Sequence, residues 1–291
     1  MKTKKIIIIL LALCLVFFMA GCDSGGSSSG GNGGGGNGGG GGGGGTDAVS
    51  SPLCFTANAA STIQLYTTTG AAPSLEYSTD GSTWLAFNMN QDYNLASGSK
   101  FYLRGNNATF NTMAANATFV MTGSIAASGN IMSLVDKTCA STTIPNDYCF
   151  GGLFWGCDVM TTPPELPATT LTKDCYMDMF YDCTALTVAP ELPATTLLQD
   201  SYMSMFQGCT AMTSIVIKAT TLAKGSLSDM LANCSSLNSI TVHFSAWDPA
   251  DFSESPWVVG VAATGTFKCP SVLPATYDTD HIPAGWTKTD L

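Results

Sequence analysis

The chain has little of what catalytic and nucleic-acid-binding proteins use most. It holds two histidines, His243 and His281, and a single arginine, Arg104. So few imidazoles leave almost no base for a serine or cysteine nucleophile and no set of histidine ligands for zinc. Lys and Arg total 11 against 21 Asp and Glu, a net charge of −10, so no basic stripe exists for nucleic acid or anionic lipid. No apolar run reaches the ~20 residues of a spanning helix. CxxC pairs and calcium loops of the DxDxDG type are absent, neither histidine sits near a GxSxG-like turn, and Arg104, Gly105 and Asn106 are not an RGD tripeptide. No catalytic residue, metal ligand or cofactor is therefore expected.

What is present begins at the N-terminus. Lys2, Lys4 and Lys5 precede an apolar run from Ile6 to Ala20, which as a helix covers only about 22 Å of a ~30 Å hydrocarbon core. A cleaved export signal over 1–21 is expected rather than a permanent span. Met19, Ala20, Gly21 and Cys22 resemble a bacterial lipoprotein cleavage site, which implies that the Cys22 thiol is acylated and anchors the chain to a bilayer. Residues 22–47 continue almost entirely in Gly, Ser and Asn, a composition that buries nothing and forms a tether with an r.m.s. span of roughly 25–29 Å.

From Pro52 the pattern changes to short β-type runs such as Ile63 to Tyr66, Leu75 to Tyr77, Thr83 to Phe87, Phe101 to Leu103 and Thr118 to Met121. Thr79, Asp80, Gly81 and Ser82 give a hairpin signal between two of them. The segment 48–130 reads as a small antiparallel β-sandwich.

A period then takes over. Cys157, Cys183, Cys209 and Cys234 follow one another at 26, 26 and 25 residues, with Phe154, Phe180, Phe206 and Leu231 three ahead and Met160, Leu186, Met212 and Leu237 three after. Fixed apolar columns of this kind mean stacked units that cannot bury their cores singly. Ile131 and Leu134 fall 26 residues before Cys157 and Met160 and place the start of the array, with a capping strand, near 131. The segment after each cysteine, PELPATTL twice and then Ile215 to Ile217 and Ile240 to Val242, is the expected strand of each unit. Tyr176 to Phe180 and Tyr202 to Phe206 are expected as one-turn helices on the opposite wall. The period ends at Trp247, and the aromatic-rich segment 248–291 suits a cap over the last open edge.

The regular cysteines admit two readings. In-register neighbours on adjacent turns lie about 5 Å apart, within disulfide range; but their side chains point the same way, which favours a column of small buried thiols. Glu165 and Glu191 share a column at the spacing of a retaining glycosidase, yet each sits in a surface motif with no cleft implied. His243, between Val242 and Phe244, points outward, and His281 follows Asp278 and Asp280 in an irregular stretch. The outward strand positions Thr161, Thr187, Thr213 and Asn238, with Val216, Thr241 and His243 beside them, are the candidate ligand face.

The recurrent Phe-x-x-Cys-x-x-Leu/Met, as in FYDCTAL and FQGCTAM, followed by a strand, is similar to the leucine-rich repeats of BspA-like bacterial surface lipoproteins. PELPATTL, RGNNATF, GNIMSL, GVAATGTF and IPAGWT extend the resemblance over about residues 52–290. It implies a right-handed solenoid at the outer membrane or cell surface of a diderm bacterium, in a family associated with adhesion to host proteins or other cells. The expected fold is β-rich and multidomain: a β-sandwich at 48–130, about four repeats at 131–247 and a cap at 248–291. The expected function is non-enzymatic binding of an extracellular protein or glycan. The alternative is a carbohydrate-binding β-domain using Trp84, Tyr77 and Tyr102, with the repeats as scaffold.

Overall fold

The computed structural model describes residues 51–67, 72–247 and 255–291. The chain divides at Asp47, and Ala48–Leu291, the second unit, holds all of the described residues. Cys22, the expected signal and the tether lie outside the described residues, and no described helix is long and apolar enough to cross a membrane.

The regular secondary structure of the second unit is almost wholly β-strand, in order β1 Leu53–Ala57, β2 Ser61–Thr67, β3 Leu75–Ser78, β4 Leu85–Ala86, β5 Tyr93–Leu95, β6 Lys100–Gly105, β7 Ala117–Thr122, β8 Ile125–Ser128, β9 Met160–Thr162, β10 Ser214–Ile217, β11 Ser239–Val242, β12 Thr266–Cys269 and β13 Thr287–Asp290. A first sheet runs β4-β3-β6-β1-β8-β9, a second β5-β2-β7 and a third β10-β11-β12-β13. Alternation sets the faces of the early strands: Ile63 and Leu65 of β2, Phe101 and Leu103 of β6, and Phe119 and Met121 of β7 are buried. The two early sheets meet through Phe55 and Phe119, whose ring centroids lie 5.0 Å apart edge to face. The expected hairpin joins β3 to β4 in antiparallel register, Glu76 to Ala86. Its turn is closed by Asp80 Oδ1 accepting from the N–H groups of Ser82 and Thr83 at 2.7 Å, with Gly81 at φ 77°.

The later strands pair in parallel, Ile215 with Ile240 and Ile217 with Val242, then Ile240 with Phe267. Ile215, Ile217, Ile240 and Val242 turn inward, while Val216 is 45% exposed. Parallel strands offset by one repeat are what a stack of successive turns requires.

The opposite wall is not helical. Asp174, Asp178 and Asp182 have φ of 55°, 56° and 56°, and the same left-handed geometry recurs at Asp200, Ser204 and Gly208 and at Gly225, Asp229 and Asn233. The N–H groups of Tyr176, Asp178, Phe180 and Asp182 donate to Ser201, Met203, Met205 and Gln207 of the next turn at 2.8–3.0 Å. Those of Met177, Met179, Tyr181 and Cys183 donate three residues back within their own turn. Alternate amides thus serve alternate neighbours, and the wall meets its backbone hydrogen-bonding needs without a helix. Left-handed backbone costs most residues about 1–2 kcal/mol and Asp, Asn and Gly least, which accounts for the four-residue beat of short polar residues. In the 182/208 column the two share the space: a Cβ on Gly208 would collide with the Asp182 carboxylate.

Inside the coil, Phe119, Phe154, Phe180 and Phe206 form a ladder with centroids 5.1–5.4 Å apart and planes within 12°. Each column thiol reaches back one turn. Cys157, Cys183, Cys209 and Cys234 Sγ donate to the carbonyls of Phe119, Phe154, Phe180 and Phe206 at 3.1–3.2 Å. The Phe154, Phe180 and Phe206 carbonyls also take the N–H of the cysteine three residues on, so both lone pairs are engaged.

Phe119 in this series marks where the stack begins. Ile125 of β8 pairs in parallel with Met160 of β9, whereas Ile131–Leu134 is a 3-10 turn, not a strand, and Ile131 bonds to Glu165. The 26-residue match of Ile131 with Cys157 is therefore not a register: the chain winds through an extra turn around Asp136, which accepts four hydrogen bonds from Thr138, Ala140 and Ser141. The early sheets and the stacked turns share one continuous core.

Candidate functional site

The expected ligand face is distributed over two sheets. Thr213 lies just before β10, Val216 within it, Asn238 just before β11, Thr241 within it and His243 just after it. Thr213, Val216 and Asn238 are exposed and Thr241 and His243 partly so, while Ile240, Val242 and Phe244 between them are buried. Backbone bonds from Asn238 N to Thr213 O at 3.1 Å and from His243 N to Ile217 O at 3.1 Å hold these rows in register. The side chains of Thr213 and Asn238 make no hydrogen bond among the described residues, leaving their polar atoms for water or a partner.

Thr161 belongs instead to β9 of the first sheet, and Thr187 sits in an irregular segment linked to it by Thr187 N to Thr161 O at 3.3 Å. Both hydroxyls point back along the stack, Thr161 Oγ1 donating to Ile125 O at 3.2 Å and Thr187 Oγ1 to Thr161 O at 3.3 Å. These two threonines therefore have a structural use that Thr213 lacks.

Nucleophilic chemistry finds little footing. The described cysteines form no disulfide, and burial pushes the Cys175 and Cys234 thiols up to about 12 and raises those of Cys157 and Cys183 as well. Thiols held neutral this way are poor nucleophiles and poor ligands. His281 Nδ1 lies 2.7 Å from Asp278 Oδ1, and its ring stands edge-on to Trp247 at 4.9 Å. His243, just after β11, has no such carboxylate partner among the described residues. No group of three or more His, Cys, Asp or Glu suited to a metal ion occurs among the described residues.

The aromatic trio of the early sheets does not form an open platform. Tyr77 stacks on Phe101 at 5.2 Å and packs against the core, Arg104 lies 3.7 Å above the Trp84 ring, and Tyr102 is half-buried. Arg104 is in turn fixed by Glu76 Oε2 at 2.8 Å. A sugar stacking on Trp84 from that side would have to displace the guanidinium.

No protein-family model, no curated protein and no solved structure matches the chain.

Proposed function

We propose that the protein is a non-enzymatic, adhesin-like surface lipoprotein of a diderm bacterium. In this reading Cys22 is acylated, residues 22–47 tether the folded part, and a β-sandwich carries a short leucine-rich-repeat array of the BspA-like kind that binds an extracellular protein or glycan. The observation that carries it is the parallel register of β10 and β11, which lines up Thr213 with Asn238 and Val216 with Thr241 on a rigid outward surface. Rigid, unpartnered polar rows suit recognition better than chemistry, because little side-chain entropy is lost when they are covered. The rival reading, a carbohydrate-binding β-domain, has less support, since Tyr77 is committed to the core and Arg104 occupies one face of Trp84.

The test is binding of the full chain to arrays of extracellular matrix proteins and glycans, alongside a T213E/V216E/T241E variant checked for an unchanged melting temperature. The reading expects a ligand retained by the parent and lost by the variant. Equal binding by both, or binding lost only on substitution of Trp84, overturns the assignment of this face.

A further inference from the structure

The row of parallel strands is interrupted midway along the stack. β9 ends at Thr162 in one sheet and β10 begins at Ser214 in another, and the described chain between them contributes only isolated bridges, at Asn130–Glu165, Thr143–Thr170, Leu192–Ile217 and Thr196–Thr221. Proline explains the break, because the two PELPATTL elements put residues without an N–H where the ladder needs donors. At the interruption lies a groove of about 630 Å³, with five prolines among its ten lining residues and Thr162, Val188, Glu165 and Glu191 on its border.

The chemistry of that lining is one-sided. Proline rings and Val188, which is 47% exposed, supply apolar surface. The prolines offer carbonyl acceptors but no donors, and the two glutamates add negative charge. Glu165 has no cationic partner among the described residues, and Glu191 pairs only with Lys218 at 3.2 Å while 85% exposed, too weak a bond to resist exchange. A groove short of N–H groups cannot recruit a strand by extending a backbone ladder, so it must select through side chains. The complement of apolar walls, acceptors and carboxylates is an extended chain with aliphatic stems ending in cations.

We propose that this groove binds an extended, lysine-bearing segment of a partner protein, with the stems lying on the prolines and Val188 and the ammonium groups on Glu165 and Glu191. The groove borders β10, because Leu192 bridges Ile217, but its occupancy does not depend on the outward rows of β10 and β11 having a ligand.

The experiment is fluorescence anisotropy of a labelled (Lys-Pro)5 peptide titrated with the full chain, with (Glu-Pro)5 as the charge-reversed probe. The expected result is saturable binding of the lysine peptide only, weakened roughly tenfold by E165Q/E191Q, the size of losing two exposed charge pairs. A D92N/D158N variant, which removes the same charge at two exposed positions elsewhere, binds like the parent. Absence of saturation up to about 1 mM, undiminished binding by E165Q/E191Q, or equal weakening in both variants overturns the proposal, the last by showing diffuse attraction to an acidic protein.

Discussion

Asp178 stands at the middle left-handed position of its turn, where backbone geometry demands a short polar residue but packing takes its carboxylate partly out of water. Burial raises its pKa to about 6, against an opposing hydrogen bond from Ser204 and with a further push upward from Asp229 two turns on. The ordinary value is 3.8, so the folded protein binds this proton more tightly than the unfolded chain does. Between about pH 4 and 6 the native state then holds more protons, and stability falls as pH rises through that window. Above pH 6 the cost is present in full. A shift of this size corresponds to about 3 kcal/mol at most, and partial exposure brings it nearer 1–2. Asp178→Asn removes the ionisation, tolerates the left-handed backbone and can still accept from Ser204. Urea unfolding of the full chain, followed by tryptophan fluorescence, should find the variant more stable by about 1–2 kcal/mol at pH 7.5, with the advantage gone at pH 4. A difference independent of pH, or a less stable variant at pH 7.5, would refute the reasoning.

Thiol titration of denatured, unreduced protein should find most of the nine described cysteines free; one or none free would mean the thiol-to-carbonyl ladder is wrong. Phe180→Ala removes an inner rung of the aromatic ladder and should cost about 3–5 kcal/mol by denaturant unfolding, whereas a cost below ~1 would show the ladder to be loosely packed. Gly208→Ala combines a left-handed backbone with a collision against Asp182 and should destabilise by more than about 1 kcal/mol. Adding Asp182→Gly should recover part of that loss, and strict additivity of the two changes would deny the shared space.

Much of the stack can be read from the sequence because its signals are local and repeated. The β-branched runs at Ile215 and Ile240 are strands, and simple alternation places Val216 and Thr241 outward and their neighbours inward. The wall misleads because Tyr176, Met179 and Phe180 have the i, i+3, i+4 spacing of a helix face. The competing signal was Asp174, Asp178 and Asp182 at four-residue intervals, which marks repeated left-handed backbone and not merely an acidic surface. β1, where Leu53, Cys54 and Phe55 are all buried, offers no alternation to recognise. Ile131 matches the period by number, but register is set by strand pairing, and β8 takes that place. Of the candidate face, the exposed rows were legible, whereas the division of Thr161 and Thr187 from Thr213 follows from prolines breaking the ladder. The groove beside Glu165 and Glu191 arises from the same break and has no signature in any single repeat.

Protease shaving of intact cells tests the central claim of a surface-exposed, lipid-anchored binding protein most directly. The account predicts that the folded part, residues 48–291, is cleaved or released while a periplasmic marker stays intact. Survival of that part until the outer membrane is disrupted would contradict it.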